Sequence, residues 1–584
     1  MTERKNRENP TQGEGGAFYR IVTLCLMAVL VGFAVSLASI AFVDSFAWLN
    51  RALLISPRIR VQYESNPMLL VAATLLVPAL GGVVVGAMFS WLSCERRSLG
   101  PADVVRAAQL NLPLPDFRSG IVSTLAAVLS LGSGASVGQY GPIVYLGAMV
   151  GRAAAYLRIR IQALPTIAIA CGVAAAISTA FNAPIAGLVF AHEVILRHYS
   201  MQAFAPTTVA SATGYVVANV MFDRPALFLV NFSGVGHSHE FILFALLGVI
   251  SAGIAAIFMK MILQSAELAA RTRLHATLRT GFAGLAVGVA ALWLPDVLGI
   301  GTEALRFATI EGAFSSLELL VLVAAKIFLT ALCIGFGFAG GVFSPALLIG
   351  ILSGALFWTM IDSVQFVPHS GIAAYAICGM MAVASPVIGA PLTVILIVFE
   401  LTRNYDLTIA AMVAVVFSNL VSYRIVGRSL FDLQLERQGI DLSTGRDKAR
   451  LDAMRVSEHA TGDYARAGPD EWVADVNARL DRGNWKEVYV LDVEERYLGK
   501  LRHEELTAFG NARISEVVVP PELEFNERTS MREALEALGS YAGDGVPVVL
   551  SNDRRLLGIV TKASVIRAYL GEVDSIRAEE NAPG

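Results

Sequence analysis

The chain has 584 residues, 55% of them hydrophobic and 16% charged, with a mean hydropathy of +0.60. That composition excludes an ordinary soluble protein of this length. The net charge of −3 gives no footprint for nucleic acid, and five scattered cysteines offer neither metal spacing nor a disulfide framework.

Residues 1–19 are polar, carry Arg4, Lys5 and Arg7, and lack a cleavage-site pattern, so they read as a cytoplasmic tail before a retained helix. Uncharged runs at 21–42, 68–92, 241–258 and 374–399 are each long enough to cross a bilayer. A further run, 319–334, is interrupted only by Lys326. Shorter segments broken by Gly and Pro (102–110, 142–157, 184–196 and 345–360) read as half-spanning helices, which a membrane tolerates where they are buried or line a cavity. Basic residues gather at element ends (Arg96, Arg97, Arg271, Arg273, Arg424, Arg428). With the polar C-terminal region, they predict a multi-pass cell-membrane protein with both termini in the cytoplasm.

Two segments repeat. Gly134, Gly138, Pro142, Gly147 and Gly151 recur 203 residues later as Gly337, Gly341, Pro345, Gly350 and Gly354. Ala183-Pro184 through Glu193 recurs 207 residues later as Ala390-Pro391 through Glu400. Two related halves follow, about 20–222 and 238–435, within a membrane domain at 20–440. The sequence leaves open whether the halves are parallel or inverted.

Beyond residue 435 charge becomes frequent. A linker (441–454), a doubled helix–strand–turn–strand–helix pattern (455–512 and 513–572) and a tail (573–584) are predicted. The fold class is thus an all-α polytopic membrane protein with a smaller α/β soluble domain.

An anion crossing a membrane needs donors that also release it. Helix N-termini present unpaired N–H groups and roughly half a unit of positive charge. Three Gly/Pro helix starts fit: Ser98-Leu99-Gly100-Pro101, Gly138-Gln139-Tyr140-Gly141-Pro142 and Gly341-Val342-Phe343-Ser344-Pro345. Ser98 adds a hydroxyl donor. These segments resemble the three pore signatures of the CLC family of chloride channels and chloride/proton antiporters: Gly-Ser-Gly-x-Pro, Gly-Arg-Glu-Gly-Pro and Gly-x-Phe-x-Pro. Phe181-Asn-Ala-Pro, Glu400-Leu-Thr and Gly427-Arg-Ser-Leu-Phe431 extend the likeness over about 20–440, and the C-terminal pair resembles tandem CBS domains. The resemblance implies an inverted-repeat fold and a homodimer with one pore per subunit. It also implies anion contacts from Ser98 and the amides of Val342 and Phe343, and it requires no cofactor beyond the transported anion.

Four departures from the family pattern stand out. Arg97 and Leu99 stand where the first signature has glycines. Tyr140 stands at the outer gating glutamate; tyrosine, with an ordinary pKa of about 10, carries no proton or charge near neutrality. Val194 replaces the inner proton glutamate, and Phe431 replaces a tyrosine whose hydroxyl contacts the anion. The neighbours Glu193, Glu400 and His192 are expected to be structural. The departures predict anion conduction without proton coupling, by a channel or uniporter in which Tyr140 lines and gates the pore. The alternatives are a chloride/proton antiporter with an atypical gate, or selectivity for another small anion such as bicarbonate or nitrate.

His237-Ser238-His239-Glu240 is read as a solvated loop rather than a metal site. The CBS pair is a candidate for adenine-nucleotide binding through Thr561 and Glu505, although each half has an incomplete motif, and a regulatory dimerisation module is preferred. A divalent-cation channel would need membrane carboxylates that the apolar runs lack. An intramembrane enzyme would need a metal motif or nucleophile–base pair, and none appears.

Overall fold

The structure is a computed structural model describing residues 14–63, 65–155, 163–224, 235–363, 368–443, 445–483, 485–510 and 512–581. Arg4, Lys5 and Arg7 lie outside the described residues. The chain divides into two compact units between Gly439 and Ile440.

The first half of the membrane unit runs α1 (Glu14–Ala52), α2 (Pro57–Gln62), α3 (Pro67–Trp91), α4 (Pro101–Leu110), α5 (Phe117–Gly132), α6 (Tyr140–Ala154), α7 (Leu164–Phe181), α8 (Pro184–Phe190) and α9 (Met201–Tyr215). A π-helical turn, Ala191–Leu196, extends α8. The second half runs α10 (Glu240–Arg271), α11 (Ala276–Ala291), α12 (Thr302–Phe307), α13 (Ser316–Phe336), α14 (Phe343–Asp362), α15 (Ile372–Ile388), α16 (Pro391–Thr402) and α17 (Tyr405–Ile425), and α18 (Leu430–Glu436) closes the unit. Among the described residues, seven helices are long and apolar enough to cross a membrane.

Packing repeats with the sequence. α1 lies on α7 and α9 as α10 lies on α15 and α17, and α6 pairs with α7 as α14 pairs with α15. The coincident glycines explain the latter pairs. A Cβ on Gly147 would come 2.5 Å from the Gly172 carbonyl, and one on Gly350 would come 2.6 Å from the Gly379 carbonyl. Small residues therefore let each helix pair meet backbone to backbone.

The apolar run at 374–399 is not one helix. Gly389 adopts φ +71° and ends α15, and Pro391 opens α16. The segment at 345–360, expected to be short, belongs to the 20-residue α14. Position 441–454, expected as a linker, contains a helix, α19 (Arg446–Ala453).

In the second unit, β1 (Ala465–Ala467), β2 (Glu487–Leu491) and β3 (Tyr497–Arg502) form one sheet, and β4 (Phe525–Asn526), β5 (Gly545–Val549) and β6 (Leu556–Thr561) form another. Each sheet has one parallel and one antiparallel pairing, with a register shift at matching places, Val490/Leu491 and Val548/Val549. Helices α20 (Val473–Gly483), α21 (His503–Leu506), α22 (Ile514–Val517), α23 (Met531–Ser540) and α24 (Lys562–Asn581) complete the pair. The expected tail at 573–584 is therefore helical to Asn581.

Candidate functional site

The repeated glycine-proline segments meet. Gly138 and Gly341 exchange N–H···O bonds of 2.7 Å in both directions, an antiparallel bridge between equivalent residues. A Cβ on Gly138 would lie 2.7 Å from the Gly341 oxygen and 3.1 Å from the Ser344 nitrogen, so only glycine allows the approach. Ser344 Oγ also accepts from the Gln139 N–H at 3.2 Å, so the second segment supports the first.

The first turns of α6 and α14 thereby converge on a cavity of about 20 Å³, room for a single water-sized occupant. Its walls include Pro101, Tyr140, Val342, Phe343 and Phe431, with no carboxylate. Tyr140 stacks on Phe181 at 4.0 Å and 21°, and both rings lie 5.3 Å from Phe343. All three are nearly fully buried. Phe181, from the Phe-Asn-Ala-Pro segment, is part of this cluster; the sequence marked its segment without giving it a role.

A larger cavity of about 440 Å³ adjoins it, lined by Ser98, Arg97, Asp103, Arg279, Gly340 and Arg437 among others. Pro101, Gly341, Val342 and Phe431 line both cavities and form the wall between them. Of the expected anion contacts, Val342, Phe343, Tyr140 and Phe431 thus gather at the small cavity, while Ser98 lies in the vestibule.

Helix starts differ in what they can donate. Val342 provides no side-chain cap to α14, and Gln139 provides none to α6. First-turn N–H groups have no intrahelical partner, so these two starts remain donors. The α18 start is capped by Ser429, whose hydroxyl accepts from the Asp432 N–H at 3.3 Å. The α4 start is closed by Asp103, which accepts from the Gly100 N–H at 3.0 Å. The resemblance implied Ser98 rather than a backbone amide at this start, and Ser98 lines the vestibule. The Gly100-x-x-Asp103 spacing was the available signal.

The two half-buried glutamates serve the helices. Glu193 accepts from the N–H groups of Leu392 and Thr393, both at 2.9 Å, and from the Thr393 hydroxyl at 2.7 Å. Glu400 accepts from the N–H groups of Ile185 and Ala186 at 2.9 and 2.8 Å. Each thus caps the helix that carries the other. Val194 is buried, and His192 meets the His198 carbonyl at 2.9 Å and the Thr207 hydroxyl at 3.0 Å. The His237–Glu240 segment is only partly solvated: His237 is exposed, but Glu240 is buried and accepts from the His237 and Ser370 N–H groups, the Ser370 hydroxyl and the Tyr375 hydroxyl. Among the described residues, no group of three or more metal-ligating side chains gathers.

A third cavity, about 490 Å³, is lined by Phe46, Arg51, Arg60, Pro295, Asp296 and Glu303. α11 begins at the vestibule with Ala276 and ends near this cavity, about 24 Å away by helical rise. The end of α1 lines the third cavity, whereas the end of its equivalent, α10, lines the vestibule. Equivalent helices therefore run in opposite directions, and the halves are inverted.

In the second unit, Thr561 and Ser564 cap one another's N–H groups at 3.1 and 3.0 Å, and Glu505 accepts from the Arg502 N–H at 3.1 Å. Thr561 and Glu505 occupy different places in the two repeats, so they are not partners within one half-site. Tyr489, buried and bonded to Glu487 at 3.0 Å, has its pKa driven upward, first by burial and then by that carboxylate.

Residues 81–423 match the family described as voltage gated chloride channel, and residues 514–571 match the CBS domain. A putative chloride channel protein ClcB-like from Ralstonia nicotianae is 30% identical, covering 63% of this chain and 87% of that one. Chloride channel protein CLC-f from Arabidopsis thaliana is 27% identical over 87% of this chain and 64% of its own length. An H(+)/Cl(−) exchange transporter ClcA from Yersinia pseudotuberculosis is 27% identical over 75% and 94%. Among solved structures, a slow cyanobacterial Cl−/H+ antiporter superposes with a TM-score of 0.64 at 21% identity, covering 71% of this chain and 97% of that chain. A eukaryotic CLC transporter gives 0.62 at 19%, covering 94% and 98%. With its inverted halves, paired glycine-proline helix starts and C-terminal CBS region, the chain belongs to the CLC family of voltage-gated chloride channels and their exchanger relatives.

Proposed function

We propose that this protein conducts a small anion, chloride first, across the cell membrane as a channel or uniporter without stoichiometric proton movement. The observation that carries the reading is the absence of a carboxylate from the small cavity's lining, where Tyr140 closes the space. Two further facts support it. Val194 is apolar and buried, and the nearby Glu193 is fully engaged as a helix cap. An engaged carboxylate that lost its charge would release three donors, so it is poorly suited to shuttle protons.

The anion enters the vestibule past Ser98, passes the wall formed by Pro101, Gly341, Val342 and Phe431, and meets the Val342 and Phe343 amides. Displacing the Tyr140 ring then opens the route to the far side. α1 ends at the third cavity and so begins on the vestibule side, where Phe431 and Gln434 of α18 also lie. We assign that face to the cytoplasm, the CBS pair to regulation, and the assembly to a homodimer with one pore per subunit. No cofactor is needed for permeation.

The test is chloride flux from liposomes with simultaneous pH recording. Chloride should move down its gradient with no uphill proton movement. Proton pumping driven by a chloride gradient would instead establish an exchanger with an atypical gate, and running nitrate and bicarbonate in parallel ranks the anions.

A further inference from the structure

Arg97 is the residue of the vestibule that the family pattern least predicts, and its geometry gives it a use. Its guanidinium grips Asp103 through two bonds, Nη2 to Oδ1 at 2.6 Å and Nη1 to Oδ2 at 3.1 Å, and Nη1 also lies 3.4 Å from the Ser98 carbonyl. Glu95 stands farther off, at 3.7 Å from Nε. Asp103 is buried, with only 3% of its side chain exposed, while 38% of the Arg97 side chain is open. Both residues line the vestibule beside Ser98.

The pair sits where an anion must pass. Asp103 is already the anion of the α4 start, since its Oδ2 accepts the Gly100 N–H. Left alone, that carboxylate would repel any anion approaching Ser98 and Phe431. Arg96, Arg279 and Arg437 line the same vestibule; Arg279 donates to the Phe336 and Ala269 carbonyls, and Arg437 pairs with Glu267 and donates to the Leu263 carbonyl. Of these four arginines, Arg97 grips Asp103.

We propose that Arg97 is a positioning residue for permeation. It neutralises Asp103 so that the α4 cap does not exclude the anion from the inner mouth, and its exposed side turns the local field positive. This rests on the anion-conduction reading above.

The full-length chain in liposomes provides the test, with chloride as the probe. Arg97→Gln should raise the half-saturating chloride concentration about tenfold at neutral pH. Arg97→Gln with Asp103→Asn should restore native half-saturation. Asp103→Asn alone, which keeps the cap's shape and frees Arg97, should lower half-saturation below native. A double variant as impaired as Arg97→Gln overturns the proposal, as does an Asp103→Asn half-saturation at or above native. The second result decides the matter even if Arg97→Gln does not yield folded protein. A native chain that moves no anion refutes the proposed function instead.

Discussion

The proposed gating role of Tyr140 assigns closure either to its ring or to its hydroxyl, and the two separate by substitution. The ring stacks face to face on Phe181 and tilts against Phe343. An aromatic pair contributes about 0.5–1.5 kcal/mol beyond its buried area, so Tyr140→Ala should raise chloride flux roughly two- to tenfold. Tyr140→Phe keeps the stack and should stay within about twofold of native. Flux through Tyr140→Ala no greater than native would remove the ring from the gate. A marked loss in Tyr140→Phe would make the hydroxyl an anion ligand. Its position in the motif predicts a pore-lining place for Tyr140. It could not show the Phe181 contact, because those two rings are 41 positions apart and meet only when α6 and α7 pack.

Between elements, the decisive contacts are made by backbone. Gly138→Ala would thrust a methyl group against the Gly341 carbonyl, which cannot swing aside. Overpacking of this kind costs about 1–3 kcal/mol, so the detergent-solubilised variant should melt at lower temperature and conduct poorly. Gly253→Ala is the matched control: nothing lies within 4 Å of its Cβ, and the substitution should hold or raise the melting temperature. The reciprocal caps give a second test. Glu193→Gln and Glu400→Gln each weaken charge-assisted bonds to a helix start and should destabilise by similar amounts, about 1–2 kcal/mol. Neither should alter the pH profile of flux; a change in Glu193→Gln alone would assign that residue to proton handling. The matched spacing of Glu193 and Glu400 was legible in sequence. The cross-over, in which each caps the other's helix, was not, because the partners are about 200 positions apart.

The whole chain divides its stability between two kinds of core. The membrane unit relies on inverted halves packed through small residues. The soluble unit is held by the two sheets and by a buried ionic clamp, in which Arg450 on α19 meets Glu572 at 2.6 Å and Glu579 at 2.9 Å on α24, and Arg446 pairs with Glu579. Removing one partner of a buried pair costs about 3–5 kcal/mol, so Arg450→Ala should lower the melting transition of the soluble unit and leave that of the membrane unit in place. A single transition shifting as one would show that the units unfold together. That clamp also explains why Arg446–Ala453 and 573–581 are helical: charged stretches that read as linker and tail become ordered once they bury each other's charges. By itself the sequence determined the membrane character, the two halves, the doubled soluble domain and the glycine-proline helix starts, because hydrophobic length and glycine-proline spacing are local signals. Only the tertiary structure decided that the halves are inverted, that Gly138 and Gly341 touch, that Asp103 closes α4, and that Arg97 answers it. Each of those depends on which groups are left without a partner once the helices have packed.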